Sequence, residues 1–242
     1  MDEIKTQAIV LKAIDYKEGG KLLTLFSLEH GLMYAKIRGV TKPKAKLAFA
    51  SQPFCFGEFV LASKVGYTVT NCSSIENFYS LTSDFDKFIA GSGILEMLNV
   101  LVKEESPNSA LFIDVLKALK ALEFTNSMPL AIFLKFFINA MQLAGYRIEV
   151  GACPVCGSKS AIKERFSFTY GARMCAVCCD SNSISLSQGE SAVLKIISGN
   201  SYDELKNIKF AKLDNVITIA KILIKYFEEK TGESLQGIAE YI

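Results

Sequence analysis

Cys153-Pro-Val-Cys156 and Cys175-Ala-Val-Cys178 form two Cys-x-x-Cys knuckles with eighteen residues between them. One tight loop supplies two thiolates, and two such loops supply the four soft donors of a tetrahedral zinc site at about 2.3 Å. The intervening length falls in the range typical of a four-thiolate zinc module. A single Cys-x-x-Cys could equally be a redox pair or two buried small side chains; two at this spacing point to Zn²⁺. Gly157 after the first knuckle suits a turn that needs positive φ. Cys179 competes with Cys178 as the fourth ligand, and Cys178 is preferred because it keeps the two-residue spacing. Four thiolates leave no open position for water, so the site is expected to be structural.

Seven cysteines with metal-type spacing and an acidic start, Met1-Asp2-Glu3, suggest a reducing compartment rather than a secreted disulfide framework. Half of the 242 residues are hydrophobic and 21% are charged, enough for a core in one large or two modest domains. The most apolar stretch, Pro129 to Gly145, is interrupted by Lys135 and is too short to cross a bilayer. No membrane attachment is expected.

Before residue 80 the pattern is that of strands. Short apolar runs (Ala8–Leu11, Leu22–Leu28, Leu32–Ile37, Phe54–Leu61 and Tyr67–Cys72) alternate with Gly, Asp, Lys and Pro. Five such strands fit a closed barrel of the OB type, and an SH3-like barrel fits the pattern almost as well. Along the third run, Met33, Ala35 and Ile37 face one way while Tyr34, Lys36 and Arg38 face the other. An aromatic ring followed by two cations suits bases that stack and phosphates that pair. Lys42, Lys44 and Lys46 continue the charge, with Pro43 restricting the loop. Net charge is only +2, and a charge run alone is equally an ordinary solvated face.

From residue 84 the period is helical. Phe85, Phe88, Ile89, Ile94, Leu95, Leu98, Leu101 and Val102 form a first stripe. Ser106-Pro107 is expected to start a second helix, with proline at its first position. A third, apolar nearly all round, runs from Pro129 to a Gly145 cap. Ser187-x-x-Glu190 and Ser201-x-x-Glu204 are capping boxes, and Asp214 is expected to cap a long amphipathic helix ending near Gly232. The expected fold class is a multidomain α+β protein: an OB-fold barrel over residues 1–80, then a mainly helical domain over 81–242 with a four-cysteine zinc module at 150–182.

No enzyme is expected. The only histidine, His30, sits in a Glu29-His30-Gly31 turn with no nucleophile beside it in sequence, and there is no Gly-x-x-x-x-Gly-Lys-Ser/Thr phosphate loop. Gly91-Ser92-Gly93 lacks a third glycine and a preceding strand. A zinc-dependent nuclease, a thiol–disulfide protein and a scaffold whose basic loop is incidental stand as alternatives to a DNA-binding protein.

Residues 5–15 (KTQAIVLKAID), 22–31 (LLTLFSLEHG) and 36–54 (KIRGVTKPKAKLAFASQPF) resemble the amino-terminal region of the RecO family of bacterial recombination mediators. Leu143-Ala144-Gly145-Tyr146 followed by the two knuckles matches the family in order and spacing. The resemblance implies an OB-fold and a helical domain with a zinc module. It also implies a cytoplasmic, nucleoid-associated protein that binds single- and double-stranded DNA, anneals complementary strands and uses no small-molecule substrate. By that resemblance it works with RecR, in many bacteria with RecF, and with the carboxyl-terminal tail of single-stranded-DNA-binding protein (SSB), to load RecA. Carried over to this chain, Lys36, Arg38, Lys42, Lys44 and Lys46 occupy the DNA-facing segment and the four cysteines the metal positions. Lys135 and Arg147 are candidates for the SSB-tail pocket. Lys17-Glu18-Gly19-Gly20 and the carboxyl-terminal Glu233-Ser234-Leu235-Gln236 depart from the family pattern.

Overall fold

The structure, a computed structural model, describes residues 2–17, 19–42, 44–64, 66–159 and 163–242. Glu18 and Pro43 lie outside the described residues. Two compact units share the chain: Met1–Asp84 with Leu95–Leu116, and Phe85–Ile94 with Lys117–Ile242.

In the first unit five strands close a barrel: β1 (Asp2–Tyr16), β2 (Gly20–Ser27), β3 (Gly31–Ile37), β4 (Phe56–Lys64) and β5 (Gly66–Glu76). Their order is β1-β2-β3-β5-β4, and β4 returns to pair with β1. The β3–β5 pairing is parallel through Ala35↔Tyr67 and Lys36↔Thr68, while the other pairs are antiparallel. This five-stranded closure has the OB-type architecture. Ala8, Val10, Leu23, Leu25, Met33, Ala35, Ile37, Phe59, Leu61 and Val69 fill the interior. β1 is far longer than its apolar run Ala8–Leu11 suggests, because alternating residues with charged outward neighbours extend it in both directions. A register shift between Val10 and Lys12 bends β1 so that it can pair with both β2 and β4.

Three helices follow: α1 (Phe85–Leu101), α2 (Ser109–Phe124) and α3 (Pro129–Leu143). Pro107 does not start α2. Asn108 does, its Oδ1 accepting the Leu111 N–H at 3.0 Å, as a helix cap requires. In α1, Ile94, Leu95, Leu98 and Val102 are buried as the stripe predicts, but Phe85 and Phe88 are exposed. Gly93 is a point of close packing: a Cβ there would lie 3.1 Å from Phe133 Cε2 and 3.2 Å from Ile238 Cβ. Pro129 occupies the first turn of α3, and Gly145 adopts φ +90° just beyond its end.

Among the described residues, the rest of the second unit comprises a three-stranded sheet and four helices. β6 (Glu164–Ser167) lies between β7 (Ala172–Cys175) and β8 (Ser183–Leu186). Then come α4 (Gln188–Gly199), α5 (Tyr202–Leu205), α6 (Leu213–Thr231) and α7 (Gln236–Ala239). Both expected capping boxes form, at Ser187/Glu190 and Ser201/Glu204. Asp214 does not cap α6. Lys212 holds the cap position without a side-chain bond, and Asp214 sits inside the first turn, where its charge complements the helix dipole. Gly232, at φ +75°, ends the helix. Among the described residues no helix is long and apolar enough to cross a membrane.

Candidate nucleic-acid interface and metal centre

Alternation along β3 buries Met33, Ala35 and Ile37 in the barrel and turns Tyr34 and Lys36 outward, with Arg38 exposed just past the strand. Strand pairing sets these residues beside outward side chains of β1 and β2. Lys12, Thr24 and Tyr34 share one row, in which Thr24 is buried, and Ile14, Leu22 and Lys36 the next. Tyr16 pairs with Gly20, where a Cβ would fall 2.9 Å from both Tyr16 O and Ile37 O; only glycine permits that approach. The face is therefore a strip of aliphatic and aromatic surface edged by cations.

Tyr16 belongs to this strip, although no motif singles it out. The Lys36 and Lys17 ammonium groups lie 5.6 Å and 5.5 Å from its ring centroid, within cation–π reach. The one local signal is the Tyr16-Lys17 pair directly ahead of Gly19-Gly20. Tyr34 is 44% exposed, leaving its ring open to a stacking partner. Lys42, Lys44 and Lys46 are all exposed in the loop after β3. With Arg38 they make no ion pair among the described residues, so their charge is uncompensated. His30 lies in the β2–β3 turn, its backbone N–H donating to Ser27 Oγ at 3.0 Å.

In the second unit the Sγ atoms of Cys153, Cys156, Cys175 and Cys178 all lie within 4.8 Å of one another. A tetrahedron with 2.3 Å metal–sulfur bonds has sulfur–sulfur edges of about 3.8 Å. Cys156 and Cys175 are 3.7 Å apart, so this donor set fits a zinc ion. Gly157 takes φ +74°, and its N–H donates to Cys153 O at 2.8 Å to close the first knuckle. In the second, the Cys178 and Cys179 N–H groups both donate to Cys175 O at 3.2 Å. Cys179 turns its thiol to Ala176 O at 3.2 Å and is not among the four clustered thiols.

Two of the four thiols are biased toward the thiolate. Burial would raise Cys153, but backbone N–H groups of Cys156, Cys175 and Val155 outweigh it and bring its pKa down to about 6. Cys175 is lowered chiefly by the Cys178 N–H. Cys178 is pushed up to about 12 by its hydrogen bonds to Cys175 and Cys156. Metal binding at such a site releases protons.

A buried arginine braces the module, and nothing local in the sequence announces it. Arg173, between Ala172 and Met174 in β7, is 2% exposed. Its Nε donates to Val150 O at 2.8 Å and its Nη2 donates to Gly151 O and Lys159 O, which fixes the loop carrying the first knuckle. Its Nη1 pairs with Glu164 Oε1 at 2.5 Å. Glu164 also accepts from Ser191 and lies 3.2 Å from Lys195 Nζ, which ties β6 to α4. Lys135 donates to Ser198 O at 2.9 Å near the end of α4, while Arg147 pairs with Glu149 at 2.7 Å.

Comparison with known proteins agrees with this layout. Residues 1–78 match the family model described as Recombination protein O N terminal, and residues 82–237 that of Recombination protein O C terminal. The chain belongs to the RecO family. It is 30% identical over 234 residues to the DNA repair protein RecO of Acetivibrio thermocellus, covering 95% of this chain and 92% of that protein. It is 29% identical to the DNA repair protein RecO of Clostridium novyi, over 96% of this chain and 92% of the relative. The RecO protein of Caldicellulosiruptor saccharolyticus is 28% identical, with 95% of both chains covered.

Proposed function

We propose that this RecO-family protein is a DNA-binding recombination mediator that anneals complementary single strands and helps load RecA onto SSB-coated DNA. Residues 1–80 serve as the DNA-binding domain and residues 81–242 as the helical domain, with a structural zinc held by Cys153, Cys156, Cys175 and Cys178. The observation that carries the reading is the outward set Tyr34, Lys36 and Arg38, continued by Lys42, Lys44 and Lys46, on an OB-type barrel. In such barrels the β2–β3 face holds oligonucleotides. Aromatic rings stack with bases of any sequence, and cations track the backbone.

Annealing brings two polyanions together, and uncompensated cations lower their repulsion through counterion release. This needs no nucleophile or general base; the work is electrostatics, stacking and protein binding. RecR, the SSB tail and in some settings RecF are the partners, and the protein acts in the cytoplasm at the nucleoid. Strand annealing on SSB-coated complementary oligonucleotides, with and without RecR, tests the reading. Annealing above the spontaneous rate that disappears in Lys36→Ala/Arg38→Ala is expected; no acceleration by the wild-type chain contradicts it.

A further inference from the structure

A cleft of about 650 Å³ opens in the second unit beside the second zinc knuckle, lined by Lys163, Arg165, Ala176, Ser185, Ser187 and Lys195 among others. This volume is within the range of small-ligand sites. Three of its lining residues are cations, and among the described residues Glu164 is its only carboxylate. That carboxylate is already engaged by Arg173, Lys195 and Ser191. Glu190, at the start of α4, turns back to accept the Ser187 N–H at 2.7 Å. The cleft is left with a net positive charge.

Arg165 is held in place without being neutralised. Its Nε donates to Ser183 Oγ at 2.9 Å, its Nη1 to Ser185 Oγ at 2.7 Å and its Nη2 to Ser183 O at 2.7 Å. These neutral partners fix the guanidinium plane and occupy three of its five N–H donors, leaving the full charge and two donors for a ligand. Lys163 is exposed and makes no ion pair among the described residues. Its carbonyl accepts the Ala176 N–H at 3.2 Å, which fastens it to the knuckle. Next to Ala176 is Val177, 94% exposed at the knuckle tip, where an apolar side chain gains nothing from water.

We propose that this cleft is a second nucleic-acid binding site: Lys163, Arg165 and Lys195 take phosphodiester oxygens of a single strand, and Val177 packs against an unstacked base. Phosphate is the anion that suits a fixed guanidinium fork with flanking ammonium groups. An apolar tip beside that charge suits the alternation of base and phosphate along a strand, which a free inorganic anion does not offer. The inference rests on the DNA-binding reading, but the residues are remote in sequence from the barrel face and can be tested apart from it.

The test uses the full zinc-loaded chain and two variants at exposed positions, Lys163→Glu and Val177→Asp. Affinity for oligo(dT) is read by fluorescence anisotropy across a salt series, and the bound residues are mapped by cross-linking to 4-thiothymidine oligonucleotides. Cross-links on the 163–165 or 176–177 peptides are expected in addition to those on the barrel. Lys163→Glu should lower the salt slope by about 0.7 for each phosphate that the variant no longer neutralises. Val177→Asp should weaken binding several-fold. Cross-links confined to the barrel, with both variants binding like wild type, overturn the inference and leave the barrel reading intact. Failure of the wild-type chain to bind DNA removes the barrel reading as well. Amide protection of 163–165 by inorganic phosphate but not by oligo(dT) also overturns it, because the site then takes a free anion.

Discussion

Arg173 and Glu164 meet at 2.5 Å inside the four-cysteine module, with their side chains 2% and 10% exposed. The pair joins the loop of the first knuckle to β6 and, through Ser191 and Lys195, to α4. Burial alone would raise the Glu164 carboxyl, but Ser191, Lys195 and Arg173 outweigh it and hold its pKa below the ordinary value.

Glu164→Gln leaves Arg173 a buried cation without its counter-charge and should cost on the order of 3 kcal/mol. Because the folded pKa of Glu164 is depressed, its contribution is complete above the unfolded value of about 4.3 and is lost as pH falls through the lower folded value. Urea unfolding of both chains should therefore show a gap at neutral pH that narrows in acid, with zinc content measured at each pH so that metal loss is not read as loss of the pair. A gap that stays constant across that range would mean that charge is not what the pair contributes.

The core under the knuckles is small: Cys153, Ala172 and Met174, with Cys175, Cys178 and Cys179 packed against it. With so small a cluster beneath a loop-rich module, metal binding free energy is expected to contribute to its folding. Chelation should raise amide exchange across the described residues of 150–182 while leaving the barrel strands protected. Cys178→Ser should lose zinc, and Cys179→Ser should retain one ion per chain by elemental analysis. The reverse pattern would make Cys179 the fourth ligand.

Gly171 sits at φ +58°, and a Cβ there would run into Arg147 O and Tyr226 Oη. Tyr226 itself is 1% exposed and donates to Arg147 O at 2.5 Å. Gly171→Ala should cost about 2–4 kcal/mol through backbone strain and overpacking. Tyr226→Phe should cost about 1 kcal/mol by leaving that carbonyl without its donor. Urea midpoints of the zinc-loaded chain measure both.

Features set by neighbours in sequence are legible without the structure. The knuckles, both capping boxes, the Gly232 end of α6 and the alternation of β3 are all local patterns. Features that depend on distant partners are not. The parallel β3–β5 pairing joins Ala35 to Tyr67, and no local periodicity encodes it. Tyr16 joins the outward face only because Gly20 brings β1 and β2 together there. Arg173 carries no local mark of burial, since its burial depends on Glu164 and three loop carbonyls. Pro107 and Asp214 mislead for a simpler reason: Asn108 lies one residue nearer the start of α2, and Asp214 one residue inside α6.

On the barrel face Tyr34 should act by stacking and not by charge. Tyr34→Ala should weaken oligo(dT) binding by about 1–3 kcal/mol with an unchanged salt slope, and Tyr34→Phe should bind nearly as wild type. Fluorescence titration at two salt concentrations separates these effects. A changed slope in Tyr34→Ala would show that the ring acts by placing the cations.

The most direct measurement is the salt dependence of the Kd for single-stranded DNA in the wild-type chain and in Lys42→Ala/Lys44→Ala/Lys46→Ala and Lys36→Ala/Arg38→Ala. A steep wild-type dependence is predicted, reduced in each variant by about 0.7 per phosphate left without its cation. The full wild-type slope in both variants would contradict the assignment of DNA binding to this face.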